Sequence, residues 1–207
     1  MKKAIIHLSC FIALLLVSVG PVILYMSLSS RWYQFNYQYQ RITKKKSPDF
    51  VNTQTNNLIN FFHYRETLNS QWKSHEVRHM RDVRHLLTWL AILVLISLLF
   101  ILALPVLARG AAANFLRTSS LLLLLLIVIV VPSVMGSFSF FWNQVFHPLF
   151  FRDGTWLYYK VDVSYFLFPL YFFVRSTFLL GACCVTTLIL TFLGSQIWIT
   201  CRKSTPK

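Results

Sequence analysis

The run LLTWLAILVLISLLFILALPVLA, from Leu86 to Ala108, decides the fold. It carries no charged residue. At about 1.5 Å per residue, a helix of this length covers the roughly 30 Å hydrocarbon core of a bilayer. Three further stretches are long and apolar enough to do the same: Ala4–Ser29, Ser119–Phe140 and Val174–Thr200. With 56% apolar residues and a mean hydropathy of +0.58 over 207 residues, the composition excludes an ordinary soluble domain. The expected fold is an all-α membrane protein with four transmembrane helices. It forms one integral membrane domain over 1–207, with outer segments at about 30–85 and 141–173.

Lys2-Lys3 before the first run resembles the start of a secretion signal. The apolar run exceeds the roughly 7–15 residues of a signal core, so it reads as an uncleaved anchor. Leu8-Ser9 before Cys10 stands too near the start to be a lipoprotein cleavage site. Cys10, Cys183, Cys184 and Cys201 all lie in or beside spans, which argues against a disulfide framework and against a thiol nucleophile.

Four spans put both termini on one side, with Lys2, Lys3, Arg109, Arg117, Arg202, Lys203 and Lys207 in short segments. The two longer segments are more basic in total, but the short ones are more basic per residue. Density and the N-terminal lysine pair favour termini inside and the longer segments outside. Trp32, Tyr33, Phe35, Tyr37 and Tyr39, then Phe138, Phe140, Phe141 and Trp142, read as headgroup-level aromatics. Apolar spacing through Leu58, Phe61, Phe62, Leu68 and Trp72 makes Phe50–His85 an interfacial helical segment. Asp153-Gly154 signals a short extracellular hairpin or loop.

The net charge is +14, and only six residues are acidic. Ionisable clusters at span borders therefore stand where chemistry on a lipid-borne group would need them. Before the Leu86 run comes Glu76-Val77-Arg78-His79-Met80-Arg81-Asp82-Val83. After the third stretch comes Phe146-His147-Pro148-Leu149-Phe150-Phe151, then Asp153-Gly154 and Trp156. On a helix His75, His79 and Asp82 fall at i, i+4 and i+7 and share a face. Asp82 would then orient His79 as a carboxylate does in a hydrolytic triad, with Arg78 as its competing partner. Pro148 takes the backbone of His147 out of its helix.

The same residues spell His75-Glu76-x-x-His79, a zinc-peptidase pattern in which two imidazoles bind the metal and the Glu activates its water. Arg78 would set a cation inside that motif. A third ligand would have to come from His63, Asp82, His85 or His147.

Taken together, Glu76-x-x-His79-Met80-x-Asp82-Val83 and Phe146-His147-x-x-Phe150-Phe151 resemble the motifs of one family. Asp153, Trp156, Asp162, Phe168-Pro169 and Phe173 strengthen the match. The family is the lipoprotein intramolecular transacylases, four-span proteins of Gram-positive bacteria. The resemblance covers the whole chain in span order and loop length. It implies a cell-membrane enzyme that moves the sn-2 acyl chain of a diacylglyceryl-cysteine lipoprotein to that cysteine's own α-amino group, leaving a lyso-form lipoprotein.

Ester-to-amide transfer runs downhill within one molecule, so no nucleotide, carrier, cofactor or metal is expected. The protein must hold a near-attack geometry and manage protons. The expected base is His79, oriented by Asp82, for an amine of pKa about 7.7–8.0. His147 opposes it as oxyanion donor or as acid to the departing glyceryl oxygen, and the reverse order is equally open. Arg78, Glu76, Phe150, Phe151 and Trp156 are the expected substrate contacts, Glu76 alternatively supporting the helix start. The partners expected are the diacylated lipoprotein and membrane phospholipid, the latter through Lys44–Lys46, Arg78, Arg81 and Arg84, with no nucleic acid. Two other readings remain at this point, a membrane zinc metallopeptidase and a non-catalytic assembly factor.

Overall fold

The computed structural model describes residues 2–40, 46–108, 110–151, 154–157 and 159–204, and the side chains of all these except 39, 40, 203 and 204. Lys44 and Lys45 of the basic run, Arg109, Asp153 and Lys207 lie outside the described residues, as do the side chains of Tyr39 and Lys203. Secondary structure among the described residues is helical throughout. The four long helices are α1 (Lys2–Leu28), α4 (Ser74–Leu107), α5 (Ala112–Gly136) and α9 (Leu170–Ser204), each with an apolar stretch able to cross a bilayer. Between them lie α2 (Ser30–Gln40), α3 (Pro48–Phe62), α6 (Phe138–Phe140), a π-helical turn (Phe141–Phe146), α7 (His147–Phe150) and α8 (Val163–Leu167).

The chain divides into two compact units, and the dividing points fall inside the long helices. The first comprises Met1–Ile23, Trp89–Ser133 and Phe178–Lys207. Its interior is small: Cys10, Leu104, Ala112 and Phe115 form one cluster, and Leu14, Leu123, Cys184 and Leu188 another. Outside these clusters the helices present apolar side chains outward, among them Leu102, Val106 and Val128. Only 11–28% of each span's most apolar window is buried, as expected when lipid completes the packing.

The second unit comprises Leu24–Thr88 and Val134–Thr177. Helix α3 starts cleanly because Ser47 caps it, accepting from the Phe50 amide at 3.2 Å, with Pro48 in the first turn. It ends at His63, and Tyr64 then takes φ 60°. The following loop is tied back by Glu66, which accepts from Asn57 Nδ2 at 3.1 Å and Asn60 Nδ2 at 2.9 Å. Phe50–His85 is therefore not one interfacial helix. The loop breaks it, and Ser74–His85 forms the polar first turns of α4, ahead of the apolar run.

A further expectation changes, and the hairpin-or-loop alternative around Gly154 narrows. Trp32, Tyr33 and Tyr37 are buried in α2 rather than displayed as a belt, because each polar tip finds an internal partner: Ser176 Oγ, the Ser27 carbonyl and Thr55 Oγ1 respectively. Around Gly154 no strand forms among the described residues. Gly154 adopts φ 63° and its carbonyl accepts from the Leu157 amide at 3.2 Å, which closes a single turn.

Candidate active site

The site lies wholly in the second unit. Helix α4 opens with half a capping box: Glu76, in the first turn, reaches back to accept from the Lys73 amide at 3.0 Å through Oε2. Its Oε1 accepts from both the amide (2.8 Å) and the hydroxyl (2.7 Å) of Ser164, near the start of α8. Asp162 makes the complementary tie, accepting from His75 Nε2 at 3.0 Å and from the Tyr159 amide at 2.6 Å. Glu76 and Asp162 are 2% and 1% exposed, so these are buried hydrogen bonds to carboxylates, the stronger kind. They brace α4 against the 159–164 segment and fix the azimuth of His79, one turn further on.

His147 is set by the π turn. In that wider turn its amide bonds the Trp142 carbonyl, five residues back, and its Nδ1 reaches the same oxygen at 2.6 Å. A carbonyl cannot donate, so Nδ1 carries the proton and Nε2 presents a lone pair. The expectation that Pro148 takes His147 out of its helix does not hold. Helical backbone continues to Phe150, because Pro148 sits in the first turn of α7, where its missing N–H costs nothing, and the chain becomes extended only at Phe151.

The two imidazoles meet with ring centroids 5.9 Å apart. Phe151 stands edge-on to His79 at 4.5 Å and lies 5.6 Å from His147, over which Trp156 stacks at 5.6 Å. Trp142 adds an edge contact to His147 at 4.9 Å. His79 lies outside the apolar run, and its Nδ1 is buried with no hydrogen-bond partner. Burial, and then the neighbouring His147, push its pKa down to about 4. Burial also lowers that of His147, with the Trp142 hydrogen bond opposing. Both rings are thus neutral near pH 7.

The sequence-derived residues separate accordingly. His79, His147, Phe151 and Trp156 come together. Phe150 is half exposed against Phe146, at 5.0 Å. Arg78 is exposed. Glu76 faces the brace, with both oxygens engaged. Asp82 is exposed and makes no hydrogen bond to His79, whose ring is drawn into the aromatic cage. His75 and His79 also diverge in environment, one on Asp162 and the other among rings. Donor atoms of His75, Glu76 and Asp162 approach within 4.8 Å of one another, but the Glu76 oxygens already accept from three N–H or O–H donors. Glu76 is not free to activate a metal-bound water. Among the basic residues, Arg84 is sandwiched between Phe61 (4.1 Å) and Tyr64 (4.2 Å), and Lys46 lies over Phe50 and Phe166.

Sequence reasoning missed the Trp142 carbonyl, Ser164 and the pairing of Asp162 with His75. Only for Asp162 was a signal available: in a chain with six acidic residues, each buried one must have a partner.

Fold and site together define a four-span membrane protein that carries a neutral histidine pair in an aromatic cage. A family model for the lipoprotein intramolecular transacylase Lit matches residues 5–173, and the chain belongs to that family. It is a membrane-integral transacylase of lipoproteins. Its fold matches that of the Lit transacylase from Bacillus cereus with a TM-score of 0.86 at 14% identity, covering 99% of both chains. A histidine-to-arginine variant of that enzyme matches with a TM-score of 0.80 at 14% identity, covering 98% of this chain and 94% of the other. No match was found among curated proteins.

Proposed function

We propose that this chain moves the sn-2 acyl group of a diacylglyceryl-cysteine to the α-amine of the same cysteine, with His147 as base and His79 as electrophilic partner. The observation that carries the reading is the Trp142 carbonyl on His147 Nδ1 at 2.6 Å, within a ring pair 5.9 Å apart. Its consequence is a bare Nε2 on His147, ready to take a proton. His79, with a pKa near 4, is a poor base at neutral pH but a good neutral N–H donor to a developing oxyanion.

The step balances without a cofactor. The amine nitrogen attacks the ester carbon, and His147 Nε2 takes the ammonium proton. His79 donates a hydrogen bond to the oxyanion. The carbon–oxygen bond to glycerol then breaks, and His147 returns the proton to the glyceryl oxygen. Phe151 and Trp156 exclude water, which would otherwise divert the acyl group to hydrolysis. The site faces the outer surface, where the charge distribution puts the histidine-bearing segments, and Arg78 and Arg81 meet anionic phospholipid headgroups there.

The test is mass spectrometry of a lipoprotein N-terminus in membranes containing wild-type, His79→Ala or His147→Ala protein. Each variant should lose conversion by about 10²-fold or more, while a zinc chelator leaves the wild type unaffected. Near-normal conversion by either variant sinks the two-histidine scheme, and chelator sensitivity would restore the metallopeptidase reading.

A further inference from the structure

Thr155 is 7% exposed, and its Oγ1 is buried without any hydrogen-bond partner. A buried hydroxyl ordinarily finds a partner, and one that does not calls for an explanation. Its position suggests one. Thr155 follows Gly154, whose positive φ turns the chain, and precedes Trp156, whose ring stacks over His147 at 5.6 Å and lies 6.4 Å from Phe151. Among the described residues, another buried polar atom without a partner is His79 Nδ1, on a ring of that enclosure. Two unmet hydrogen-bonding groups therefore belong to this part of the site, one on a ring of the enclosure and one on the chain neighbour of another ring, while both carboxylate oxygens of Glu76 are engaged. Thr is β-branched, so its hydroxyl is held in few rotamers and loses little freedom on meeting a ligand.

We propose that Thr155 is a substrate-contacting residue: its Oγ1–H donates to the carbonyl oxygen of the ester under attack and completes, with His79, a two-donor oxyanion site. This rests on the transacylase reading above. As the amine nitrogen bonds to the ester carbon, the carbonyl π electrons move onto that oxygen, and the hydroxyl bond strengthens. When the carbon–oxygen bond to glycerol breaks, the charge returns and the bond weakens. The hydroxyl keeps its proton throughout, so the contact acts on kcat more than on KM.

Thr155→Val keeps the shape and removes the hydroxyl, and Thr155→Ser keeps the hydroxyl. Full-length variants in vesicles are given a diacylated lipopeptide, and N-acyl product and thermal midpoint are both measured. For Thr155→Val, kcat should fall about 10²-fold with KM little changed. Its midpoint should be equal or higher, because an unpartnered buried hydroxyl contributes nothing to the free protein. Thr155→Ser should keep most of the activity. A structural hydroxyl, bonded through ordered water, would give the opposite pattern: a lowered midpoint in Thr155→Val with kcat nearly intact. Either half of that pattern overturns the proposal. Should wild-type protein yield no N-acyl product, the transacylase reading fails and takes the Thr155 role with it. Normal wild-type turnover beside an unaffected Thr155→Val removes the Thr155 role alone.

Discussion

Two imidazoles within one cage differ because one of them owns a backbone carbonyl. His147 has its Nδ1 proton fixed by Trp142 at 2.6 Å, whereas His79 Nδ1 has no partner. Their burial has a consequence for stability against pH. His79 has a folded pKa of about 4 against an ordinary 6.5, so between those values the unfolded chain binds a proton that the folded one refuses. Folding stability is therefore fully present above about pH 6.5 and declines as pH falls toward about 4. The thermal midpoint in detergent should drop across that window, and His79→Gln should remove much of the slope. A wild-type midpoint that stays flat from pH 7 to about 4 would contradict the burial argument. The pair was legible in the sequence as two histidines beside spans. The environments were not, since a helical face through His75, His79 and Asp82 suggested a carboxylate contact to His79 that the folded chain does not make. Spacing says which residues share a face, not which way the neighbouring elements turn it.

At the scale of elements, the start of α4 and the 159–164 segment are joined by Glu76 and Asp162. Glu76→Gln is nearly isosteric, yet one of its two ends becomes a donor facing an existing donor, either the Lys73 amide or the Ser164 groups. It should cost about 2 kcal/mol of stability and lower kcat, because His79 sits one turn beyond the broken brace. Asp162→Asn should act in the same direction through His75 and the Tyr159 amide. If Glu76→Gln instead raises KM alone at unchanged stability, the residue touches substrate after all. The π turn is the other decisive element. Nothing in Phe141–Phe146 distinguishes it from an α-helix by composition, since the i→i+5 pattern wins only when surrounding packing favours the wider turn.

For the whole molecule, one unit supplies the apolar lengths that meet lipid and the other supplies the polar site. Within the first, α1 and α4 approach closely at Gly20, where an added Cβ would collide with the Val94 side chain. Gly20→Ala should destabilise the protein by about 1–3 kcal/mol, as overpacking does, and Val94→Ala should partly rescue it. Purified yield and thermal midpoint of the single and double variants check this. Additive losses would mean that the two residues do not meet.

Hydropathy along the chain was enough to count the candidate spans, because a bilayer imposes its length requirement on each segment separately. Two motifs read together were enough to name the family. What sequence could not supply is everything that depends on one segment's surroundings being another segment. The burial of Trp32 and Tyr33, the break at Tyr64, the Asp162–His75 pair, the proton on His147 and the unpartnered hydroxyl of Thr155 all belong to that class. Each is a contest for hydrogen bonds and buried area among groups far apart in the chain. Its outcome is written only in the folded arrangement.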